Sequence, residues 1–465
     1  MKRKILPFIF SFLLAATGYS QKILSIQEIK LETLFFNKTE SYPIIDNKNG
    51  GMALFLLNYN KINANLFDKD YKIAATFTLK KNVDFKNLIG SNQKEGKYNL
   101  FFTDSYQGKI YSTTIDIQNR LTASITHPIK LGKEKFLEGL SYKNKFYVLT
   151  VTKKTSLLKI YVFEGTEIVQ INELDFSSFK FSNNADNKLY HALKDSEKSF
   201  IGALKIRKID NTVPNPLEFT THENKLYCYD NKIFITLDHE NDATRIITIN
   251  LKDFSQEINT YKHWFVNCGE ILKVKSNSFL YKDILYQVKG CKNELYFAIY
   301  NLSTHTLVKD FRINKNEEIY FKNSPLIQEG NIVTDRELNK TKQILRKIKH
   351  SDMGVAVYQL KDGLEVTIGG YKESEMLAGF SSGGISVYVT YKNTRATYFK
   401  SLFDSNTFEH IEGVIKGNAF DKIKSLSKSL GTGIAAETVI KEGNSYIFGY
   451  YLKYKKQYYL SRFSD

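Results

Sequence analysis

The chain has 465 residues and a formal net charge of +17, with 42 % hydrophobic and 25 % charged residues. That balance excludes a mainly disordered chain. The 30 Tyr and 33 Phe against only 6 Pro favour strands and exclude a collagen-like or Pro-rich linker protein.

In chain order, the first element is an export signal. Lys2, Arg3 and Lys4 form a basic start, Ile5 to Ala16 is an apolar run, and Gly18 and Ser20 suit cleavage before Gln21. The run is shorter than the roughly 20 residues that a membrane-spanning helix needs, and no later segment is long and apolar enough. Residues 1–20 are therefore read as a signal peptide and 21–465 as a single domain, periplasmic or extracellular after cleavage. Removing the three charges of the signal leaves +14 on the mature chain. Such an excess suits anionic partners such as acidic polysaccharide, lipopolysaccharide, phospholipid head groups or nucleic acid. The lysines form no long tract, however, which equally fits a basic solvated surface and gives no specific nucleic-acid signal.

Lys22 to Leu31 (KILSIQEIKL) reads as a strand, and from there to the C-terminus nearly every segment alternates polar and apolar residues. A hairpin pattern recurs: NLFDKDYKIAATFTL from Asn65, TTIDIQNRLTASIT from Thr113, KIYVFEGTEIVQI from Lys159 and IITINLKDFSQEI from Ile246. It returns as FAIYNLSTHTLV from Phe297, YFKSLFDSNTFEHI from Tyr398 and a truncated YYLSRFSD from Tyr458. One turn residue per copy gives Asp68, Asp116, Glu164, Asn250, Asn301, Asp404 and Asp465, with gaps of 48, 48, 86, 51, 103 and 61. A period near 50 with strands upstream of each hairpin resembles the four-stranded blades of β-propellers. The unit Phe136–Ser141, Phe146–Val151, Leu157–Phe163 and Glu167–Ile171 shows it most cleanly. The resemblance lies in architecture, since the chain has no WD repeat, paired-Gly kelch pattern or Asp-box series.

The fold class expected is all-β, a propeller of four-stranded antiparallel blades. Seven blades are counted, with eight as the alternative if a unit hides around Ser199–Ile206. Lys22–Leu31 would pair beside Gln457–Phe463 and complete the last blade, covering edges that otherwise recruit other chains. Two segments, Arg336 to Ile348 and Phe420 to Leu430, have apolar spacings of three to four residues and are read as short inserted helices.

In such blades the second-to-third hairpins and the blade-to-blade connections emerge on one face. The long insertions Ser177–Asn224, Asn314–Met353, Gly413–Ala435 and Lys372–Gly383 would all fall there, and long loops commonly serve binding. The same face should carry Asp238, His239, Glu240, Asn241 and Asp242 at a hairpin tip, then His263 and Trp264, the only tryptophan. Alternating acidic residues could hold calcium weakly through oxygen ligands, although no glycine follows where calcium loops favour one. A histidine beside a carboxylate suits acid–base work. Trp264 offers a sugar-stacking face, or half-buried packing.

The three cysteines are Cys228, Cys268 and Cys291. No zinc-ligand spacing surrounds them. Cys268 and Cys291 are placed in adjacent blades on one face and are the disulfide candidate; Cys228, within KLYCY, is left a free thiol. There is no nucleophile elbow, phosphate loop, zinc-protease or dinucleotide motif, so no catalytic residue, metal ligand or cofactor is assigned. The readings that remain are an exported monomeric binding module for a glycan or protein partner, a carbohydrate-active hydrolase or lyase using the same face, or an envelope scaffold.

Overall fold

A computed structural model describes residues 22–29, 31, 39–46, 50–129, 131–182, 187–194, 204, 206–269, 274–331, 334–382 and 385–465. The expected signal peptide lies outside these residues, as does most of Ser199–Ile206. The described strands form seven sheets, the blades of a β-propeller. β1 is Lys22–Glu28. Sheet one holds β2 (Glu40–Asp46), β3 (Gly51–Leu57), β4 (Lys61–Phe67) and β5 (Ile73–Lys80). Sheet two holds β6 (Asn87–Lys94), β7 (Lys97–Thr103), β8 (Ile110–Asp116) and β9 (Leu121–His127). Sheet three holds β10 (Glu134–Tyr142), β11 (Lys145–Thr152), β12 (Leu157–Glu164) and β13 (Glu167–Asp175). Sheet four holds β14 (Arg207–Lys208), β15 (Asn224–Tyr229), β16 (Lys232–Leu237), β17 (Ala243–Asn250) and β18 (Gln256–Lys262). Sheet five holds β19 (Lys275–Tyr281), β20 (Ile284–Gly290), β21 (Glu294–Asn301) and β22 (Thr306–Asn314). Sheet six holds β23 (Leu326–Gly330), β24 (Arg336–Leu338), β25 (Asp352–Leu360), β26 (Gly363–Ser382) and β27 (Ile385–Phe403). Sheet seven holds β28 (Ile434–Glu442), β29 (Ser445–Leu452) and β30 (Gln457–Ser464), with β1 as its fourth strand.

The sequence pattern explains the layering. Second strands such as β3 (GMALFLL) are buried on both faces and read as continuous apolar runs, whereas the last strand β5 (IAATFTLK) alternates half-buried and exposed. Several hairpins close on two residues of positive φ, Lys143-Asn144 and Asp230-Asn231 among them, the backbone that matches strand twist.

Two compact units are distinguished. One joins the described residues up to Lys80 with Gly417–Asp465 and contains sheets one and seven. Here β1 runs antiparallel to β30, from Lys22 opposite Arg462 to Glu28 opposite Gln457. Leu54, Leu56, Ile447, Tyr458 and Leu460 share its core. The Tyr458 hydroxyl lies 3.0 Å from Ser41 Oγ, tying the two sheets together.

The other unit, Lys81–Lys416, contains sheets two to six. Sheets two and three meet closely at Gly90 and Gly139. A Cβ there would fall 2.4 Å from the Phe146 ring or the Ile89 carbonyl oxygen, so a side chain at either position would force the sheets apart. Phe101 stacks on Phe146 across that junction, and Phe163 meets Phe101 edge-on and Phe146 at a tilt. Sheets four to six share a larger core around Phe279, Tyr286, Phe297, Phe321, Phe399 and Phe403.

Sheet six departs from the sequence expectation. The residues after Asp404 were expected to supply its outer strand, but only Phe403 and His410 form a bridge there. β23 instead comes from the Asn314–Met353 insertion and pairs with Arg395–Tyr398. That insertion is therefore part of the blade, and β24 extends it as a fifth strand. The expected helix from Arg336 is corrected for the same reason. Arg336–Leu338 satisfies its backbone in the β23 ladder, and the helix α3 of this segment begins at Thr341.

Four short helices are described: α1 (Leu189–Ala192), α2 (Leu217–Thr220), α3 (Thr341–Lys349) and α4 (Ala419–Leu430). Gln343 Oε1 accepts from the Asn339 and Lys340 amides and so fixes where α3 starts. Asn418 caps α4 by accepting from Phe420 and Asp421. Lys372–Gly383 falls in the second-to-third hairpin of this sheet, where β26 and β27 stay paired from Leu364 opposite Phe403 to Ser382 opposite Ile385. Gly383 itself lies outside the described residues.

Candidate functional site

Asp238 follows β16 directly and turns inward. Both it and Lys225, on β15, are fully buried as side chains, with Lys225 Nζ 3.0 Å from Asp238 Oδ2. Asp238 also accepts from the Ser278 amide at 3.1 Å, Ser278 Oγ at 2.7 Å and Thr244 Oγ1 at 2.6 Å. Lys225 donates to Asn277 Oδ1 and to the His222 carbonyl. Asn277 Nδ2 in turn reaches the Met353 carbonyl at 2.8 Å, so the network links sheets four, five and six. Burial lowers the proton affinity of Lys225, and Asp238 opposes that shift. All four hydrogen bonds that the Asp238 carboxylate accepts come from internal donors.

The neighbouring residues are also engaged. His239 Nε2 donates to the Phe181 carbonyl at 3.0 Å, and Glu240 accepts from Ser182 Oγ at 2.7 Å. The Asn241 amide oxygen accepts from Ser276 Oγ at 2.9 Å. Asp242, half exposed, faces Arg245 at 3.6 Å. His263 is held between Thr244 Oγ1 at 3.1 Å and the Asn241 carbonyl at 3.2 Å. Desolvation lowers the pKa of both His239 and His263. Asp238 is buried while Asp242 is half exposed, and among the described residues no three His, Cys, Asp or Glu side chains gather into a metal-ligand set.

The connection leaving β18 behaves differently. Its start is tied down by the His263 amide, which donates to the Asp242 carbonyl at 2.7 Å. Its middle is tied by the Asn267 amide, which donates to Glu294 Oε2 at 2.7 Å. Cys268 and Cys291 are joined as a disulfide with alpha-carbons 5.9 Å apart. Between these anchors Trp264 is 49 % exposed and Phe265 75 % exposed. The Trp264 indole N–H donates to the Tyr300 hydroxyl at 3.0 Å, and its ring centre lies 6.0 Å from that of Tyr296. Arg312 completes the rim. It pairs with Glu294 at 3.0 Å, donates to the Phe265 carbonyl at 3.2 Å and lies 5.2 Å over the Tyr296 ring. Burial, then Asp310, raises the Tyr296 phenol well above its ordinary range, so the ring stays neutral.

The structure thus separates the residues singled out in the sequence. Asp238, His239, Glu240 and His263 serve the inter-sheet network or its turn, whereas Trp264 stands at the surface. Phe265, Tyr296, Tyr300, Glu294 and Arg312 were not foreseen. Phe265 adjoins Trp264, and Tyr296 and Tyr300 share one face of β21 by even spacing, which is the only sequence signal they carry. Cys228 is a free, half-buried thiol whose pKa burial pushes up to about 12, which makes it a poor nucleophile.

No family model matches the chain, and no curated protein matches it. Among solved structures it is similar to the WD40 domain of SCAP from fission yeast, at 11 % identity and a TM-score of 0.30 over 91 % of this chain and 84 % of that one. It is similar to the Dos1 propeller at 10 % identity and a TM-score of 0.28 over 78 % of each chain. It is also similar to the dihydro-heme d1 dehydrogenase NirN in complex with DHE, at 8 % identity and a TM-score of 0.28 over 60 % of this chain; the match spans only 48 % of that protein. Propellers and an enzyme stand side by side in this set, at TM-scores that carry no argument about activity. Among the described residues no helix is long and apolar enough to cross a membrane.

Proposed function

We propose that the protein is an exported, non-catalytic binding module that recognises a glycan through the aromatic loop carrying Trp264 and Phe265. The observation that carries this reading is the pairing of exposure with restraint. Two large rings face solvent on a connection held by hydrogen bonds from two of its backbone amides and by a disulfide. Ordering such a loop on binding costs little, because it is ordered beforehand. Fixing the indole N–H on Tyr300 leaves a ring face for the apolar side of a sugar, with the Arg312 guanidinium at its rim. A protein interface of standard size needs a wider apolar core than two rings supply, so a glycan is preferred over a protein partner. Export is supported by the basic and apolar N-terminal run and by a disulfide, which persists in oxidising compartments. The hydrolase or lyase reading loses ground because the histidines and carboxylates nominated for it bond internally.

Binding of the signal-free protein to neutral and acidic glycans, at low and moderate salt and with and without calcium, tests the proposal. Saturable binding that survives moderate salt and falls roughly two- to tenfold in Trp264→Ala is expected. Binding that salt abolishes for every acidic polymer alike, or that Trp264→Ala and Phe265→Ala leave unchanged, overturns it. Turnover of the bound glycan would establish the enzyme reading instead.

A further inference from the structure

The chain between β22 and α3 forms a cleft that stacking on Trp264 leaves unused. It has a volume of about 510 Å³, with Leu326 and Leu338 in its lining and the start of α3 at its edge. Four lysines line it, Lys315, Lys322, Lys340 and Lys342, against two carboxylates, Glu317 and Glu318. Glu318 is paired with Lys322 at 2.6 Å, and Glu317 accepts from the Asn314 amide at 3.3 Å. Lys315 reaches the neutral Asn293 Oδ1 at 3.1 Å, while Lys340 and Lys342 make no ion pair among the described residues. Glu337, the next acidic residue along the chain, alternates onto the face of β24 opposite Leu338. The lining therefore keeps an excess of two positive charges.

Neutral donors stand beside these lysines. α3 starts at Thr341, so the Thr341 and Lys342 amides have no partner within the helix, and its first turn carries no acidic residue. Gln343 Oε1 is already engaged by the Asn339 and Lys340 amides. Thr341 is 6 % exposed, lines the cleft, and its hydroxyl makes no hydrogen bond among the described residues. A buried hydroxyl without a partner costs stability until something supplies one. Helix amides, a hydroxyl and unpaired lysines at one cleft make a donor set for an oxyanion.

One turn joins this cleft to the aromatic loop. The Lys315 amide donates to the Asn293 carbonyl at 2.8 Å, and Glu294, the next residue, accepts from Asn267 of the Trp264 connection. Arg312, which donates to the Phe265 carbonyl, lies three residues before Lys315, a distance of about 10 Å along an extended chain. An oligosaccharide of a few units covers that span. Tyr320, 63 % exposed on the same segment, adds a further aromatic surface.

Given the glycan reading above, on which this rests, we propose that the cleft takes the carboxylate or sulfate of an acidic glycan whose neighbouring sugar stacks on Trp264. Charge and donor chemistry select the class. A neutral sugar would leave Lys340 and Lys342 unmatched, whereas a uronate or a sulfate ester meets them, the Thr341 hydroxyl and the helix amides with oxygens that accept. The cleft's volume also lies within the range of small-ligand sites.

Titration of the signal-free protein with cellotetraose, its tetraglucuronate counterpart and a sulfated cellotetraose, at low and moderate salt, tests this. The acidic tetramers should bind on the order of tenfold more tightly than cellotetraose at moderate salt, about threefold for each unpaired lysine. Tighter binding of only one of them supports the proposal and identifies the oxyanion. Lys340→Gln/Lys342→Gln should remove the preference, with cellotetraose binding and the melting transition unchanged. Thr341→Val, of similar size, should weaken the acidic tetramers alone by about fivefold, the loss of one hydrogen bond. Lys69→Gln/Lys252→Gln, which takes the same charge from exposed turns elsewhere, should leave the preference intact. Equal affinity for neutral and acidic tetramers overturns the proposal, as does a preference that survives the cleft variants or falls equally in the control pair. Where cellotetraose still binds and Trp264→Ala weakens it, those results leave the glycan reading standing; no binding of any tetramer removes both.

Discussion

Asp238 decides between a site residue and an internal strut, and its replacement separates the two. In Asp238→Asn the side chain keeps its size but loses its charge, leaving Lys225 buried with only the neutral acceptors Asn277 Oδ1 and the His222 carbonyl. Breaking a buried pair in this way costs about 3–5 kcal/mol. The unit from Lys81 to Lys416 has roughly 340 residues. At about 2.1 cal/mol/K of unfolding entropy per residue it carries about 0.7 kcal/mol/K, so the expected loss is about 4–7 °C in Tm. Lys225→Gln should cost less, because the Asp238 carboxylate would keep three donors, from Ser278 N, Ser278 Oγ and Thr244 Oγ1. The double variant Lys225→Gln/Asp238→Asn should lose less than the two singles added, since neither charge is stranded. Calorimetry on the four proteins gives all three comparisons. A Tm for Asp238→Asn within 1 °C of the parent (well under the shift worked above), or strict additivity in the double variant, would refute the strut and return Asp238 to the candidate site.

Removing the Cys268–Cys291 bond by Cys268→Ser/Cys291→Ser frees a closure across 23 residues of sequence and should cost about 3 kcal/mol, or about 4–5 °C. Because the bond also anchors the Trp264 loop, the same variant should weaken glycan binding; a lower Tm with unaltered affinity would detach the loop from recognition. Burial pushes His127 down to about 4, with its Nε2 2.9 Å from Ser112 Oγ and its ring against Phe101 and Phe163. The unfolded chain therefore takes up this proton first. The stability due to His127 is complete above its ordinary pKa of 6.5 and is lost as pH falls from there towards 4, by about 2.5 kcal/mol at pH 4.5. The gap in urea stability between pH 7 and pH 4.5 should narrow by about that amount in His127→Gln. An unchanged gap would mean that another group controls the acid limb.

What could be read from the chain beforehand follows from the range of the interactions involved. The blades were legible because each is a local meander. Alternation marks the strands, and turns such as Lys143-Asn144 join neighbours in sequence. Sheet six was misread where locality fails. β27 has an outer edge open to either Leu326–Gly330 or the residues after Asp404, and both read as strand in a one-dimensional pattern. The three-dimensional path decides it, because the chain arriving from β22 passes that edge before α3 carries it to β25. The site shows the same division. Asp238, His239, Glu240 and Asp242 look alike as a polar hairpin tip, yet Asp238 is buried against Lys225 while Asp242 remains half exposed. Nothing in the spacing of Lys225 and Asp238 distinguishes that pair from the many exposed lysine and aspartate neighbours of the chain. Trp264 was legible as a single rare residue on a connection, but its restraint by Glu294, Arg312 and Tyr300 depends on an adjacent blade. Residue type thus exposed the ring at the surface, while the contacts that restrain it come from residues 30 to 50 positions away, a distance set by the blade repeat itself.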